Sequence, residues 1–286
     1  MQPLQSLWMV VAGLLFSGMG VCIKLSAKEG YSLAEIVFYR ALLAFFIMSA
    51  MMRWYGIRLA TPNWRWQVKR GVTGFFSLCT NFTAISILPL GTAVTLNYTS
   101  PIFLILLLIF FRGLAFGWNT VVSLGLGFSG ITCLLHPSFN GPDILFGSVV
   151  ALVSAILGAM SYFDVRDLGL RGEPEMRTVF YLSLISTLMS LAWVLFTDLH
   201  PITLFGFFTL GGTSVCATLG QLALTRAYAR GKVLLSASLA YSTVVFATLA
   251  GVLLWDEQFG VMEFLGVALV VISGISASVG MKKPSV

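Results

Sequence analysis

The 286 residues are 58% hydrophobic and only 10% charged, with a mean hydropathy of +0.93. An ordinary soluble domain is about 25% charged, so a soluble fold is excluded and lipid is the expected solvent. The formal charge of +6 would suggest nucleic acid in a soluble protein, but here the basic residues cluster between apolar runs, so no nucleic-acid partner is expected.

The N-terminal MQPLQS lacks the basic start of a signal peptide, and the first apolar run is expected to remain. A spanning helix needs about 20 mostly apolar residues. Ten such runs are read at 7–25, 34–52, 70–88, 92–111, 118–136, 146–163, 178–197, 203–225, 233–255 and 262–280. Pro89, Gly91, Pro137, Pro142, Pro174, Pro201 and Gly231 mark boundaries between them. The four cysteines, Cys22, Cys79, Cys133 and Cys216, lie inside apolar runs without metal spacing and read as small core residues.

Positive charge in short loops sets orientation. With a cytoplasmic N-terminus, the inner side holds Arg53, Arg58, Arg65, Lys69, Arg70, Arg112, Arg166, Arg171, Arg177, Arg226, Arg230, Lys232, Lys282 and Lys283. The outer side holds only Lys24 and Lys28. Both termini are therefore expected to be cytoplasmic.

The chain also carries an internal echo. LNYTSPIFLILLLIFF (96–111) aligns with LAYSTVVFATLAGVLL (239–254), each behind a glycine-marked turn. The alignment pairs the fourth span with the ninth, and hence residues 1–140 with 141–286. Five spans per unit is an odd number, so the halves would cross the membrane in opposite directions. Inverted repeats with a midplane site between them are typical of secondary transporters.

Three stretches carry a family resemblance: FYRALLAFF (38–46), ILPLGTAVTLNYTSPIF (87–103) and ALTRAYARGKVLLSASLAYSTVVFATLAGVLLWDE (223–257). With two five-helix units over essentially the whole length, the chain resembles the drug/metabolite transporter superfamily in its EamA-type branch. The fourth span ends in FFRG (110–113), where many relatives have a GE-type ending, while the second half keeps its acidic ending at Asp256-Glu257. The resemblance implies an all-α membrane protein whose first, third, fourth, sixth, eighth and ninth spans line a central cavity, with the second span towards the periphery.

Other motifs read as packing. GLGFSG (125–130) has dinucleotide-loop spacing but lies inside a span, where small residues let helices approach. Gly147, Ala151, Ala155 and Ala159 form an i, i+4 row expected to be a helix seam. The NFT and NYT sequons at 81–83 and 97–99 fall at membrane depth and are discounted. His136 and His200, at external span ends, read as interface residues, and no metal site is expected.

In chain order, the candidates for a site begin with Lys24, which either snorkels or meets a substrate anion. Arg40 lies about 9 Å into the second span. A charge at that depth usually faces a cavity or a partner; the alternative is a structural clasp with Glu35. Asn81 follows on the third span. On the fourth, Asn97, Tyr98, Thr99, Ser100 and Pro101 form a polar knot on the order of 8–14 Å deep. Pro101 has no N–H, so the Asn97 carbonyl loses its helical donor and is expected to be open to substrate. Tyr162, Gln221, Ser238, Tyr241 and Ser242 reach similar depth on later spans. For each of these polar groups interhelical hydrogen bonding is the competing role.

No carboxylate is read at the membrane centre, which argues against a cationic substrate. Arg40 and Lys24 favour one bearing a carboxylate, an amino acid or organic acid. No P-loop is present, and no cofactor is expected. The expectation is a monomeric, multi-pass secondary transporter of a bacterial inner membrane. It would work by alternating access, for export or exchange. The alternatives are a lipid flippase or intramembrane enzyme, an exporter of aromatic or cationic drugs, and a non-transporting scaffold.

Overall fold

A computed structural model describes residues 3–88, 90–113, 117–137, 143–197, 199–255 and 260–279. Pro89 and Pro142 as boundaries, the acidic ending Asp256-Glu257, and the inner charges Lys282 and Lys283 lie outside the described residues.

Among the described residues the chain forms thirteen helices and no strand. They are α1 (Pro3–Ser6), α2 (Trp8–Lys28), α3 (Leu33–Trp54), α4 (Trp64–Ile87), α5 (Leu90–Asn97), α6 (Ser100–Arg112), α7 (Trp118–Leu135), α8 (Ile144–Leu170), α9 (Glu175–Val194), α10 (Leu204–Arg230), α11 (Val233–Leu239), α12 (Ser242–Trp255) and α13 (Val261–Val279). Among the described residues eight stretches are long and apolar enough to cross a membrane, with α1–α2, α5–α6 and α11–α12 each counted as one, and 261–277 is a shorter apolar helix. Helix α4 falls outside that set because Arg65, Gln67, Lys69 and Arg70 occupy its first two turns. The apolar run alone starts this span at residue 70; the structure starts it at Trp64 and so carries Arg70 into the bundle. Helix α8 likewise runs on to Leu170, taking Asp164 and Asp167 with it.

Local chemistry explains several boundaries. Ser32 caps α3 through its side chain, and Glu35 returns the bond to the Ser32 N–H, a reciprocal capping box. Gly113 ends α6 at φ 58°, a left-handed conformation that costs glycine little.

Two spans are broken at matching places. Between α5 and α6, Pro101 offers no N–H, and the Ile102 and Phe103 N–H groups both turn to the Thr99 carbonyl. Between α11 and α12 there is no proline. There the Thr243 and Val244 N–H groups bond to Ala240 and Tyr241, three residues back, the tighter 3₁₀ pattern.

Helix α4 lies along α8, and α2 along α10. Helix α3 packs on α9, and α7 on α13. Helices α11–α12 lie against α2, and α5–α6 against α8. The predicted small-residue row on α8 forms a seam: Ala151, Ala155 and Ala159 are fully buried, and a Cβ on Gly147 would stand 2.6 Å from Leu88. In the GLGFSG segment a Cβ on Gly127 would meet the Tyr241 ring at 2.2 Å, and one on Gly130 the Gly266 carbonyl at 2.8 Å. Those glycines serve close helix packing. Outward, Phe110, Phe196, Phe208 and Leu253 are largely exposed, an apolar surface suited to lipid.

Candidate substrate-binding site

Two neighbouring cavities sit where the broken helices meet α4 and α8. The first, about 170 Å³, is lined by Arg40 of α3, Arg70 and Asn81 of α4, Asn97 of α5, Ser161 and Tyr162 of α8 and Gln221 of α10. The second, about 260 Å³, is lined by Met9 and Phe16 of α2, Tyr98, Ser100 and Pro101 at the first break, Leu224 of α10, and Ala240 and Thr243 at the second break. Asn81, Asn97 and Tyr162 line both, so they form the wall the two cavities share.

Arg70 is the residue that sequence reasoning missed. The charge pattern puts it with the inner-side charges, yet it is 2% exposed and lines the first cavity. Its Nη2 donates to the Gln221 Oε1 at 3.3 Å, while its Nε is buried with no hydrogen-bond partner. Gly74, one turn later, makes the room: a Cβ there would stand 2.7 Å from the Arg70 Nη1. The readable signal was Gly71 and Gly74 beside a basic residue adjoining an apolar run.

Arg40 reaches the same cavity from α3 and a smaller one of about 30 Å³ beside it. The second span therefore contributes to the cavity wall, where the resemblance implied a peripheral helix. The Arg40 Nη1 lies 3.7 Å from the Met19 Sδ. The Glu35 clasp does not form: Glu35 accepts from the Ser32 N–H at 2.7 Å and the His200 N–H at 2.6 Å, and is buried there. Lys24 lies outside both cavities, with its Nζ 3.8 Å from the centre of the Trp255 ring, a cation–π contact.

The polar knot divides. Asn97, Tyr98, Ser100 and Pro101 line a cavity. Thr99 instead bonds back to the Leu96 carbonyl at 2.6 Å. The Asn97 carbonyl, expected to be open, accepts a hydrogen bond from the Ser100 hydroxyl, and the Asn97 Nδ2 donates to the Ser154 Oγ at 2.8 Å. The proline does divert a helical bond, but a neighbouring hydroxyl fills the gap. Asn81 is different: its Oδ1 is buried without a partner between the two cavities. A buried amide oxygen left so needs water or ligand.

The second break contributes less than its sequence suggests. Ser238 is buried between helices, bonded to the Leu234 carbonyl and reached by the Ser123 hydroxyl at 3.3 Å. Tyr241 is fully buried against Gly127, and its ring centre is 6.4 Å from that of Tyr98, so the two breaks meet. Ser242 faces Gly13 of α2. The Tyr241 and Ser242 hydroxyls are buried without partners. Tyr162 stacks on Tyr228, with ring centres 5.1 Å apart.

Charge is arranged differently at one end of the bundle. Lys69 pairs with the fully buried Asp164 at 2.8 Å, Arg112 and Arg166 with Asp167, and Arg230 with Glu175. Glu173, in the turn before α9, accepts from Thr61, from Asn63 at 2.8 Å and from Arg177 at 2.8 Å. Burial pushes its carboxyl up, but these donors outweigh burial and hold it below the usual carboxylate range. At the opposite end, His136 meets Glu263 at 2.8 Å, and Tyr31 packs edge-on against His200. No group of His, Cys, Asp and Glu that could hold a metal occurs among the described residues.

Comparison with known proteins agrees with this architecture. The pseudopaline exporter CntI of Pseudomonas aeruginosa is 30% identical over 94% of each chain. An S-adenosylmethionine uptake transporter of Rickettsia bellii is 24% identical over 78% of this chain and 76% of its own. A riboflavin transporter of Rhizobium johnstonii is 27% identical over 63% and 60%. One crystal structure, 19% identical, superposes with a TM-score of 0.85 over 97% of this chain and 99% of that one, which shows a shared fold. The model of the EamA-like transporter family matches twice, over residues 4–136 and 145–278. The chain belongs to the EamA-like transporter family of the drug/metabolite transporter superfamily, multi-pass membrane transporters of small molecules rather than enzymes.

Proposed function

We propose that this chain is a secondary transporter of a bacterial inner membrane that exports or exchanges a small carboxylate-bearing metabolite by alternating access. The observation that carries the reading is the pair of cavities at the meeting of the two helix breaks, with Arg40 and Arg70 in the wall. Ten spans cross the membrane, α4 and α13 joining the eight more apolar stretches, with both termini in the cytoplasm. Residues 1–140 and 141–286 are inverted halves, and a monomer is the working unit.

Several features support this. Exchanging the halves turns the α4–α8 contact into α10–α2, and the α5–α6 contact with α8 into that of α11–α12 with α2, while α3–α9 and α7–α13 map onto themselves. The family model matches each half once. A helix interrupted in each half gives each a point at which it can bend, and broken spans at a midplane site suit alternating access. The substrate would bind between Arg70, Arg40, Asn81, Asn97 and Tyr98, with Ser100, Pro101, Tyr162 and Gln221 completing the wall. Tyr241, Ser242, Ser238 and Thr99 shape the breaks. An exporter of cationic drugs would want an acid here; the wall described has two guanidinium groups and no carboxylate.

The relatives named above differ in direction, one an exporter and two of them uptake or unspecified transporters. Exchange of solute in both directions accommodates either. The test is uptake and counterflow in proteoliposomes with a panel of organic acids, amino acids and neutral solutes. Saturable counterflow of at least one carboxylate is expected. No solute flux, with scrambling of labelled lipid instead, would establish the flippase.

A further inference from the structure

We propose that the transported species is a dicarboxylate with an apolar body, one carboxylate being taken by Arg40 and the other by Arg70. This rests on the carrier reading above and sharpens its substrate. Both guanidinium groups line the same cavity of about 170 Å³. Neither forms an ion pair with a carboxylate among the described residues. The acid within electrostatic reach of Arg70 is Asp164, and it is held by Lys69 at 2.8 Å. Counting Arg40, Arg70, Lys69 and Asp164, the site keeps two positive charges out of balance.

Buried charge is stable only when paired. A monocarboxylate leaves one guanidinium uncompensated, and a zwitterionic amino acid leaves one guanidinium and adds its own unpaired ammonium. The Asn81 Oδ1, buried and unpartnered, offers an ammonium group one hydrogen bond but no opposing charge. A dicarboxylate neutralises the pair, and a guanidinium fork fits each carboxylate in the two-point geometry that lysine does not provide. The adjoining cavity of about 260 Å³ is walled by Met9, Phe16, Val94, Pro101 and Leu224, which suits the apolar remainder of the molecule. Its size favours a body longer than the shortest diacids.

The test is counterflow in proteoliposomes of the full chain, using succinate, adipate and phthalate against their half-amides and diamides. Diacids are expected to exchange about tenfold or more faster than half-amides, since a site built to pair a group rejects the analogue lacking it. Arg40→Gln and Arg70→Gln are each expected to erase that preference, bringing half-amide and diacid to within about twofold of each other. A purely structural role would slow both substrates equally. Should either Gln variant fail to fold, the diacid to half-amide ratio of the native protein decides alone. Arg70→Lys then adds a charge-retaining comparison. Half-amides or neutral solutes exchanging as fast as diacids would overturn the dicarboxylate and leave the carrier standing. Absence of flux for every solute would overturn both.

Discussion

Lys69 and Arg70 are neighbours in sequence and opposite in situation. The Lys69 side chain is 46% exposed and ends on Asp164, in a belt of ion pairs that ties α4, α6 and α8 together at one end of the bundle. Arg70 turns into the cavity, 2% exposed, with the neutral Gln221 amide as its hydrogen-bond partner and an unpartnered Nε. The paired charges hold helices in place. The unpaired ones wait for a ligand, since burying a cation without an anion is costly and has no structural return.

The contrast is sharpest in substitution. Arg70→Gln removes an uncompensated charge, so thermal stability in detergent should stay within about 1 kcal/mol of the native protein, while counterflow falls about a hundredfold. Equal loss of fold and transport would place Arg70 with the structural charges. Lys69→Ala does the reverse. It strands Asp164, which is fully buried; because Lys69 is half exposed, we expect a loss of about 1–2 kcal/mol, or roughly 3–6 °C in unfolding temperature. Asp164→Asn, which leaves only a solvated lysine, should cost less than Lys69→Ala. The opposite order would contradict the assignment.

Glu173 extends the structural side to pH. Its folded carboxyl lies below the ordinary value of 4.5, so its contribution is complete above that value and is lost as pH falls through the folded one. Acid titration of the unfolding temperature should therefore be shallower in Glu173→Gln than in the native protein. Identical slopes would remove Glu173 from the clamp. The smallest effect is expected at Ser238→Ala, which deletes a hydroxyl held between helices. Stability should drop by about 1 kcal/mol, with transport changed less than twofold.

Composition and charge pattern made a helical membrane protein legible in the sequence, because lipid permits little else for so apolar a chain. The Asn97–Pro101 knot was legible because proline and hydroxyls stand out in an apolar run. The break at Ala240–Tyr241 was not, since no residue there forbids a helix and packing alone tightens the turn. Arg70 is hidden by its neighbours: with Arg65 and Lys69 beside it, it reads as one more inner-side charge at the mouth of the span. Only the start of α4 at Trp64, fixed by packing against α8, shows which of the three basic residues points inward. The Asn97 carbonyl illustrates the converse. A missing N–H can be inferred from sequence, but the hydroxyl that replaces it depends on a rotamer.

The central claim is that the Arg70–Asn97 cavity holds the solute that crosses. Asn81, on the wall shared by both cavities, gives the most direct test. In a background with the four native cysteines replaced by serine or alanine and exchange activity retained, Asn81→Cys is labelled with a small water-soluble maleimide, with and without a solute shown to exchange. Labelling that is slowed by that solute in a saturable way, at the concentrations that support counterflow, is the predicted result. Labelling untouched by a solute that still exchanges would place the transport path elsewhere.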